Sequence, residues 1–377
     1  MKKLLFLFIL FSFVIASAQN SFVIKDVKLF DGEKVIERTS VKVDNGTIVE
    51  VAINIHTSGK DQIIDGNGKT LIPALSNAHV HAWAPQSLSQ AAKAGVLNVM
   101  DMHGVETYQS MMRQLKDSTN YARYFVAGYA ATAPEGHGTQ FGFPVPTLNK
   151  PEDAKKFITD RVEANVDYIK IIVEPWRNTL SSETVAALIK EAHLADRMAV
   201  VHVSRLADAI NVLSHDADGI VHIWWDKEIK KDQLDKLLEK KTFFVIPTLL
   251  TTIKAFDAMN LDEAKLLTKE KLFAQVKKLF DNGVPILAGT DPPNVGINFG
   301  TDLYQELQLL NESGMSTIEV LKAGTSNVAD AFGLEDRGYV IAGYRADLIL
   351  LDGDVTNDIK QMNQIITVWK DGKVVKR

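Results

Sequence analysis

Eight short apolar runs recur along the middle of the chain, separated by stretches with helical periodicity, and this alternation constrains the fold more than any other feature. The runs are Ala74 to Val80, Val96 to Asp101, Tyr124 to Gly128, Tyr168 to Val173, Ala199 to Val203, Gly219 to Ile223, Phe243 to Pro247 and Pro285 to Gly289. Glu183 to Ala195 and Leu261 to Phe280 carry a 3.6-residue apolar pattern, and Ser316 with Glu319 marks a helix start as a capping box. Apolar runs with little polar alternation are buried on both faces, so the pattern predicts a parallel α/β sheet covered by helices. Eight strands is the number a (β/α)8 TIM barrel needs, and an open doubly wound sheet is the alternative. No G-x-G-x-x-G opens a helix, which removes the main support for a dinucleotide-binding version of the open sheet.

The two ends of the chain have a different texture. Phe22 to Leu29, Val41 to Val43 and Ile48 to Ile53 are punctuated by Asp31-Gly32 and Asn45-Gly46, and these pairs between β-branched runs read as hairpin turns. Ala346 to Leu351, Ile365 to Trp369, Asp371-Gly372 and Val374-Val375 repeat the texture. The expectation is a small β-sandwich domain built from residues 19–72 and 339–377, beside a barrel of residues 73–338.

Residues 1–18 read as a signal peptide. Lys2 and Lys3 precede an apolar run from Leu4 to Ala16, and Ala16-Ser17-Ala18 offers a small-x-small cleavage site that leaves Gln19 first. That run is too short to span a bilayer. The chain has no cysteine, so an exported product, periplasmic or secreted, folds without disulfides and carries no membrane attachment once the leader is removed. Its formal charge of −5 becomes −7 when Lys2 and Lys3 are lost, which gives nucleic acid no basic field to bind. Homo-oligomer formation is left open.

Chemistry concentrates at the predicted strand ends. His79 and His81 are two apart on one strand, where period-2 geometry points both to the same side; His202 and His222 end two other strands, and Asp291 follows the last. In a parallel barrel these ends gather on one face, so four imidazoles and a carboxylate there predict a divalent metal site. Lys170 lies inside the apolar run Asp167 to Val173, where burial and like charge disfavour its ammonium. It either pairs with Glu174 or Asp101, or its neutral amine has combined with carbon dioxide as a carbamate able to bridge two metals.

At these positions the sequence resembles the amidohydrolase superfamily: Asn77-Ala-His-Val-His81, Lys170, His202, His222 and Ala288-Gly-Thr-Asp291, with Ile72-Pro-Ala-Leu75 before the histidine pair and Gly338 to Leu350 as the return into the small domain. Ala74 and Asn77 depart from the family's usual Gly and Asp. The likeness is greatest to the imidazolonepropionase and prolidase-like branch. The resemblance implies a metal-dependent hydrolase of C-N bonds, with His79, His81 and Asp291 on one ion, His202 and His222 on a second, and carbamylated Lys170 between them. Two zinc ions suit that donor set, with manganese or iron as alternatives. A metal-bound hydroxide would attack the substrate carbonyl, with Asp291 as general base and then acid. The superfamily's deaminases carry a glutamate three residues after the strand-5 histidine, whereas this chain has Arg205 there, which disfavours deamination. A lactonase-type C-O hydrolase and a non-catalytic periplasmic metal-binding protein are the competing readings.

For substrate recognition the candidates are His137 in the glycine- and proline-rich segment Ala133 to Pro146, Arg205, and Trp224 beside His222. His137 would contact substrate or an oxyanion, or else only brace its loop. A pocket with Arg205 would read the free carboxylate of a dipeptide or N-acyl amino acid and prefer it over the C-terminal amide by about tenfold. Alternatively Arg205 points outward and pairs with Asp208.

Overall fold

The computed structural model describes residues 21–239, 242–259 and 267–377. The leader expected at residues 1–18 and the beginning of the helix expected from Leu261 lie outside the described residues.

The chain opens with strands β1 (Ser21–Phe30), β2 (Val35–Asp44), β3 (Thr47–Ala52), β4 (Gln62–Asp65) and β5 (Lys69–Pro73). The alternating region follows: β6 (Leu75–Val80), α1 (Pro85–Lys93), β7 (Val96–Asp101), α2 (Glu106–Gln114), β8 (Arg123–Val126), α3 (Asp153–Glu163) and β9 (Ile169–Ile172). It continues with α4 (Ser182–Leu194), β10 (Ala199–His202), α5 (Leu206–Ser214), β11 (Gly219–Val221), α6 (Lys231–Leu238), β12 (Phe244–Ile246), α7 (Leu249–Met259) and α8 (Lys269–Asp281). Helices α9 (Asp302–Glu312), α10 (Thr317–Ala323) and α11 (Ser326–Ala331) lead to β13 (Leu348–Asp352), β14 (Ile365–Lys370) and β15 (Lys373–Val374).

Both chain ends enter one mixed sheet of order β15-β14-β13-β5-β1-β2-β3, with β4 beside β1. The Asn45-Gly46 turn closes the β2–β3 hairpin as expected, with Asn45 and Gly46 both at positive φ. Phe22 on β1 stacks on Trp369 of β14 at 5.3 Å, although β5 and β13 lie between their strands in the sheet order. The sheet therefore curls over its own core of Ile24, Leu29, Val41, Leu71, Leu348 and other apolar side chains.

The middle strands form two parallel sheets, β6-β7-β8 and β12-β11-β10-β9. Period-2 geometry sorts their side chains. On β9, Ile169 and Ile171 enter the large core shared with the helices, while Lys170 and Ile172 face a cavity. Met100, Tyr168, Val200, Val221, Phe244 and Leu287 form a separate apolar cluster, closed by Val328 and Ala329 of α11. Backbone hydrogen bonds link β12 to the 285–287 segment and that region to β6: Val245 donates to the Pro285 carbonyl, Leu287 to Val245, Ala78 to Ala288 and Asp291 to His79.

The segment Pro285 to Gly289, expected as a full strand, makes only a single bridge, Ile286 to Val245. The Ala288 N–H donates to the Ala323 carbonyl at the end of α10, which interrupts the ladder. Gly289 then allows this segment to pass close to β6, because a Cβ there would sit 2.9 Å from the His79 nitrogen and 2.5 Å from an Ile246 methyl.

Helix α7 begins on a buried carboxylate. Glu306 of α9 accepts from the N–H groups of Leu249 at 2.9 Å and Leu250 at 2.7 Å, covering two donors that a helix start leaves unpaired. Glu306→Ala should therefore cost about 2–4 kcal/mol in denaturant unfolding, since two buried donors lose their acceptor. A cost within experimental error would refute this role. Burial pushes the Glu306 carboxyl up to about 7 against the opposing pull of those two donors. This group's contribution is then fullest below the unfolded carboxyl value near 4.5 and declines as pH rises through 7, a component that Glu306→Gln should remove.

Candidate active site

Seven of the expected site residues line one cavity of about 370 Å³: His79, His81, His137, Lys170, His202, His222 and Asp291. Strand register explains part of the convergence. His202 ends β10 opposite Ile172 of β9 and Val221 of β11, so His222, one residue past Val221, emerges beside it with ring centroids 4.5 Å apart. The His79 ring lies 5.2 Å from His222 and 5.1 Å from His81. Two of these residues hold left-handed backbone, His222 at φ 70° and Asp291 at φ 56°. Their N–H groups are fixed by the carbonyls of Ile246 and His79, so the surrounding strands impose the conformation.

Asn77 couples the two segments that carry His79 and Asp291. Its side-chain oxygen accepts from the N–H groups of His79 and Thr290, and its amide donates to the Thr290 hydroxyl at 2.7 Å. An amide can perform both tasks at once, whereas an ionised Asp could only accept.

Asp291 Oδ1 lies 2.9 Å from His81 Nε2, 3.3 Å from His79 Nε2 and 2.9 Å from Asn294 Nδ2. Burial acts to raise its carboxyl, but the His81 hydrogen bond and the basic side chains around it hold it below the ordinary carboxylate value. His79, His202 and His222 are driven well below the usual imidazole range, chiefly by burial. They are therefore neutral, the form in which imidazole binds a metal. His222 Nδ1 is tied to the Thr248 hydroxyl at 2.6 Å, which leaves its other nitrogen for a ligand.

Lys170 Nζ is buried and has no hydrogen-bond partner, and both ring nitrogens of His79 and Nδ1 of His81 are likewise unpartnered. The ion pair considered for Lys170 with Glu174 or Asp101 does not form. Glu174 instead bonds His202 Nε2 at 2.9 Å and the Ser204 hydroxyl at 2.7 Å. Asp101 accepts from Tyr124 and from the N–H groups of Ala82 and His103. Burial draws the Lys170 ammonium down to about 7 against the pull of Asp291.

The tightest ligand group among the described residues is His79, His222 and Asp291, whose donor atoms lie within 4.8 Å of one another. This group crosses the two sets expected from sequence, because His222 approaches the first set's residues as well as His202. The unpartnered buried nitrogens, neutral imidazoles and single carboxylate fit a divalent metal of borderline softness.

Two expected residues are elsewhere. Trp224 is buried in the helix-packed core, and its neighbour Trp225 faces the cavity. Arg205 is exposed, capping α5 in extended backbone, and does not line the cavity. Its charge acts on Asp208, in keeping with the outward alternative. His137 does reach the site, with its ring 4.9 Å from His202.

Sequence reasoning did not single out Glu174 as the partner of His202, nor the aromatic side chains of Phe141, Trp176 and Phe256 that line the cavity with Trp225. His103 also lines the cavity. Its Nδ1 accepts from the Ala130 N–H, so Nε2 must donate to the Gly138 carbonyl, and burial pushes the ring down to about 3. It thereby ties the 137–143 loop to the floor.

Parallel strands delivering neutral imidazoles, a lysine and a carboxylate into one cavity define an α/β enzyme of the metal-assisted hydrolase class. The chain belongs to the amidohydrolase family, whose model matches residues 70–375. It is thus a hydrolase. A 5'-deoxyadenosine deaminase of Methanothermobacter thermautotrophicus is 23% identical over 378 residues, covering 84% of this chain and 81% of that protein. A dihydroorotase of Geobacillus sp. is 29% identical over 131 residues, and the match spans 31% of each protein. A crystal structure of a Xaa-Pro dipeptidase with methionine bound in its active site superposes with a TM-score of 0.80 at 21% identity, covering 95% of this chain and all of the other. That likeness extends the fold over nearly the whole chain.

Proposed function

We propose that this protein hydrolyses amide, peptide or cyclic amide bonds of small molecules with divalent metal held at the cavity floor. The observation that carries the reading is the convergence there of buried nitrogens that make no hydrogen bond: Lys170 Nζ, both nitrogens of His79 and Nδ1 of His81, with His79 Nε2 only in 3.3 Å contact with Asp291. His79, His81 and Asp291 would hold one ion, His202 and His222 a second, and carbamylated Lys170 would serve both; zinc suits these donors. When bound, the metal supplies Lewis acidity and an activated water. The rest falls to side chains of this protein. Asp291, held below the ordinary carboxylate value, can take the proton of the attacking water at its carboxylate and return it to the leaving nitrogen. Glu174 fixes the His202 ring, and His137 is placed to contact the substrate carbonyl. Because all the expected ligand positions face one cavity, a non-catalytic binding role is disfavoured.

The two parallel sheets are read as one closed (β/α)8 barrel of residues 73–338 with a β-sandwich of the chain ends beside it. The inter-sheet hydrogen bonds and the apolar cluster fed by successive strands support closure, and the Phe22–Trp369 stack supports the sandwich. Export rests on the leader sequence alone. No helix among the described residues is long and apolar enough to cross a membrane.

One preparation tests both proposals. The exported product should have the intact mass of a chain beginning at Gln19 and should contain divalent metal on elemental analysis. It should cleave members of a small-amide panel, lose that activity on chelation and regain it when zinc or manganese is restored. Retention of Met1 to Ala18 would refute the leader, and turnover that survives complete metal removal would refute the metal reading.

A further inference from the structure

The same cavity points to the charge and shape of what it holds, an inference that rests on the hydrolase reading for turnover but not for binding. Two aromatic pairs flank the floor. Phe141 and Trp176 come from the loops after β8 and β9, and Trp225 and Phe256, with ring centroids 6.0 Å apart, follow β11 and β12. β9, which precedes Trp176, and β12, which precedes Phe256, are the opposite ends of the four-stranded sheet, and the strands that lead into His202 and His222 lie between them.

Among the described residues lining the cavity, Lys170 carries the only lysine or arginine side chain, and it is buried at the floor. The acidic groups there are Glu174 and Asp291. Several polar side chains already direct donors to protein: Thr251 to the Thr290 carbonyl, Ser204 to Glu174, and Asn294 to Asp291. Arg205, the cation expected to read a carboxylate, is outside. A free carboxylate on a substrate would leave water for walls that offer it no counter-charge, whereas an aromatic ring would exchange water for apolar contact.

We propose that the enzyme selects uncharged amides bearing an aromatic or bulky apolar group on each side of the scissile bond, and discriminates against substrates with a free carboxylate. This reverses the preference expected when Arg205 was placed in the pocket.

The test uses the mature metal-loaded protein with N-phenylacetyl anilide and its para-carboxylate analogue. Binding is read by tryptophan fluorescence and turnover by release of the aromatic amine. The neutral anilide should bind and turn over at least about tenfold better, the effect of one unpaired buried polar group. Phe256→Arg, which adds a cation to the wall, should shift the ratio toward the carboxylate by about the same factor. Equal or better binding of the carboxylate by the parent protein, or failure of the anilide to bind, would overturn the proposal. So would an unchanged ratio in a folded Phe256→Arg protein. Selective binding of the anilide without cleavage of either compound would sustain the pocket assignment and count against the hydrolase reading instead.

Discussion

Lys170→Ala should remove most of the bound divalent metal and lower kcat/KM by at least about a hundredfold, because even the outer partners of metal ligands cost 10–100-fold when removed. The side chain is buried among four imidazoles and a carboxylate with nothing to bond its nitrogen. Its ammonium is drawn down to about 7 by burial, so a neutral amine is present near neutrality. That amine can add to the carbon of carbon dioxide, forming one N–C bond and releasing one proton. The product is an anion with two oxygens where the bare lysine offers a lone nitrogen. Formate or acetate should therefore restore part of both metal content and rate in the alanine protein, since either can occupy the vacated space as a small carboxylate. Unchanged metal content together with full activity would eliminate the bridging role and leave a mononuclear site.

Asp291→Asn should lower kcat by about 10²–10⁴-fold, the range associated with a positioned acid–base group. The substitution keeps the size of the side chain and an oxygen facing His81, but removes both the negative charge and the capacity to carry a proton. The pH–rate profile should lose its acidic limb along with the rate. Elemental analysis distinguishes the two parts of the proposed role: a protein that keeps its metal and loses its rate isolates proton transfer. A rate within tenfold of the parent would show that another group moves the proton.

The strand–helix alternation was legible because burial on both faces leaves a plain apolar signal, and the run Val96 to Asp101 coincides with β7. His79, His81, His202, His222 and Asp291 were legible because strand ends are recognisable even where boundaries shift by a residue or two. Legibility fell away beyond the ladders. Trp224 and Trp225 lie past Val221, the last residue of β11, where period-2 geometry no longer says which side a residue takes, and the core received the first and the cavity the second. Arg205 was judged by its spacing from His202, but the chain turns into α5 there and the capping position carries it outward. Glu174 was weighed as a partner for the nearest lysine in sequence. Its actual partner, His202, lies on the adjacent strand, a relation set by register that no local pattern encodes.

The mixed sheet that unites the two chain ends bears on the order of folding events. β5 is hydrogen-bonded to β1 on one side and to β13 on the other, so Leu71 pairs with Leu350 across most of the polypeptide. Until the last strands are available, β5 presents an unsatisfied edge and the Phe22 ring lacks its Trp369 partner. Contacts of such long range are slow to close, because the loop entropy is lost before the contact forms. The final clasp of the molecule is thus expected to close late. If the leader proposed above directs the chain across a membrane before it folds, that delay favours a loose, threadable state until the whole polypeptide has passed.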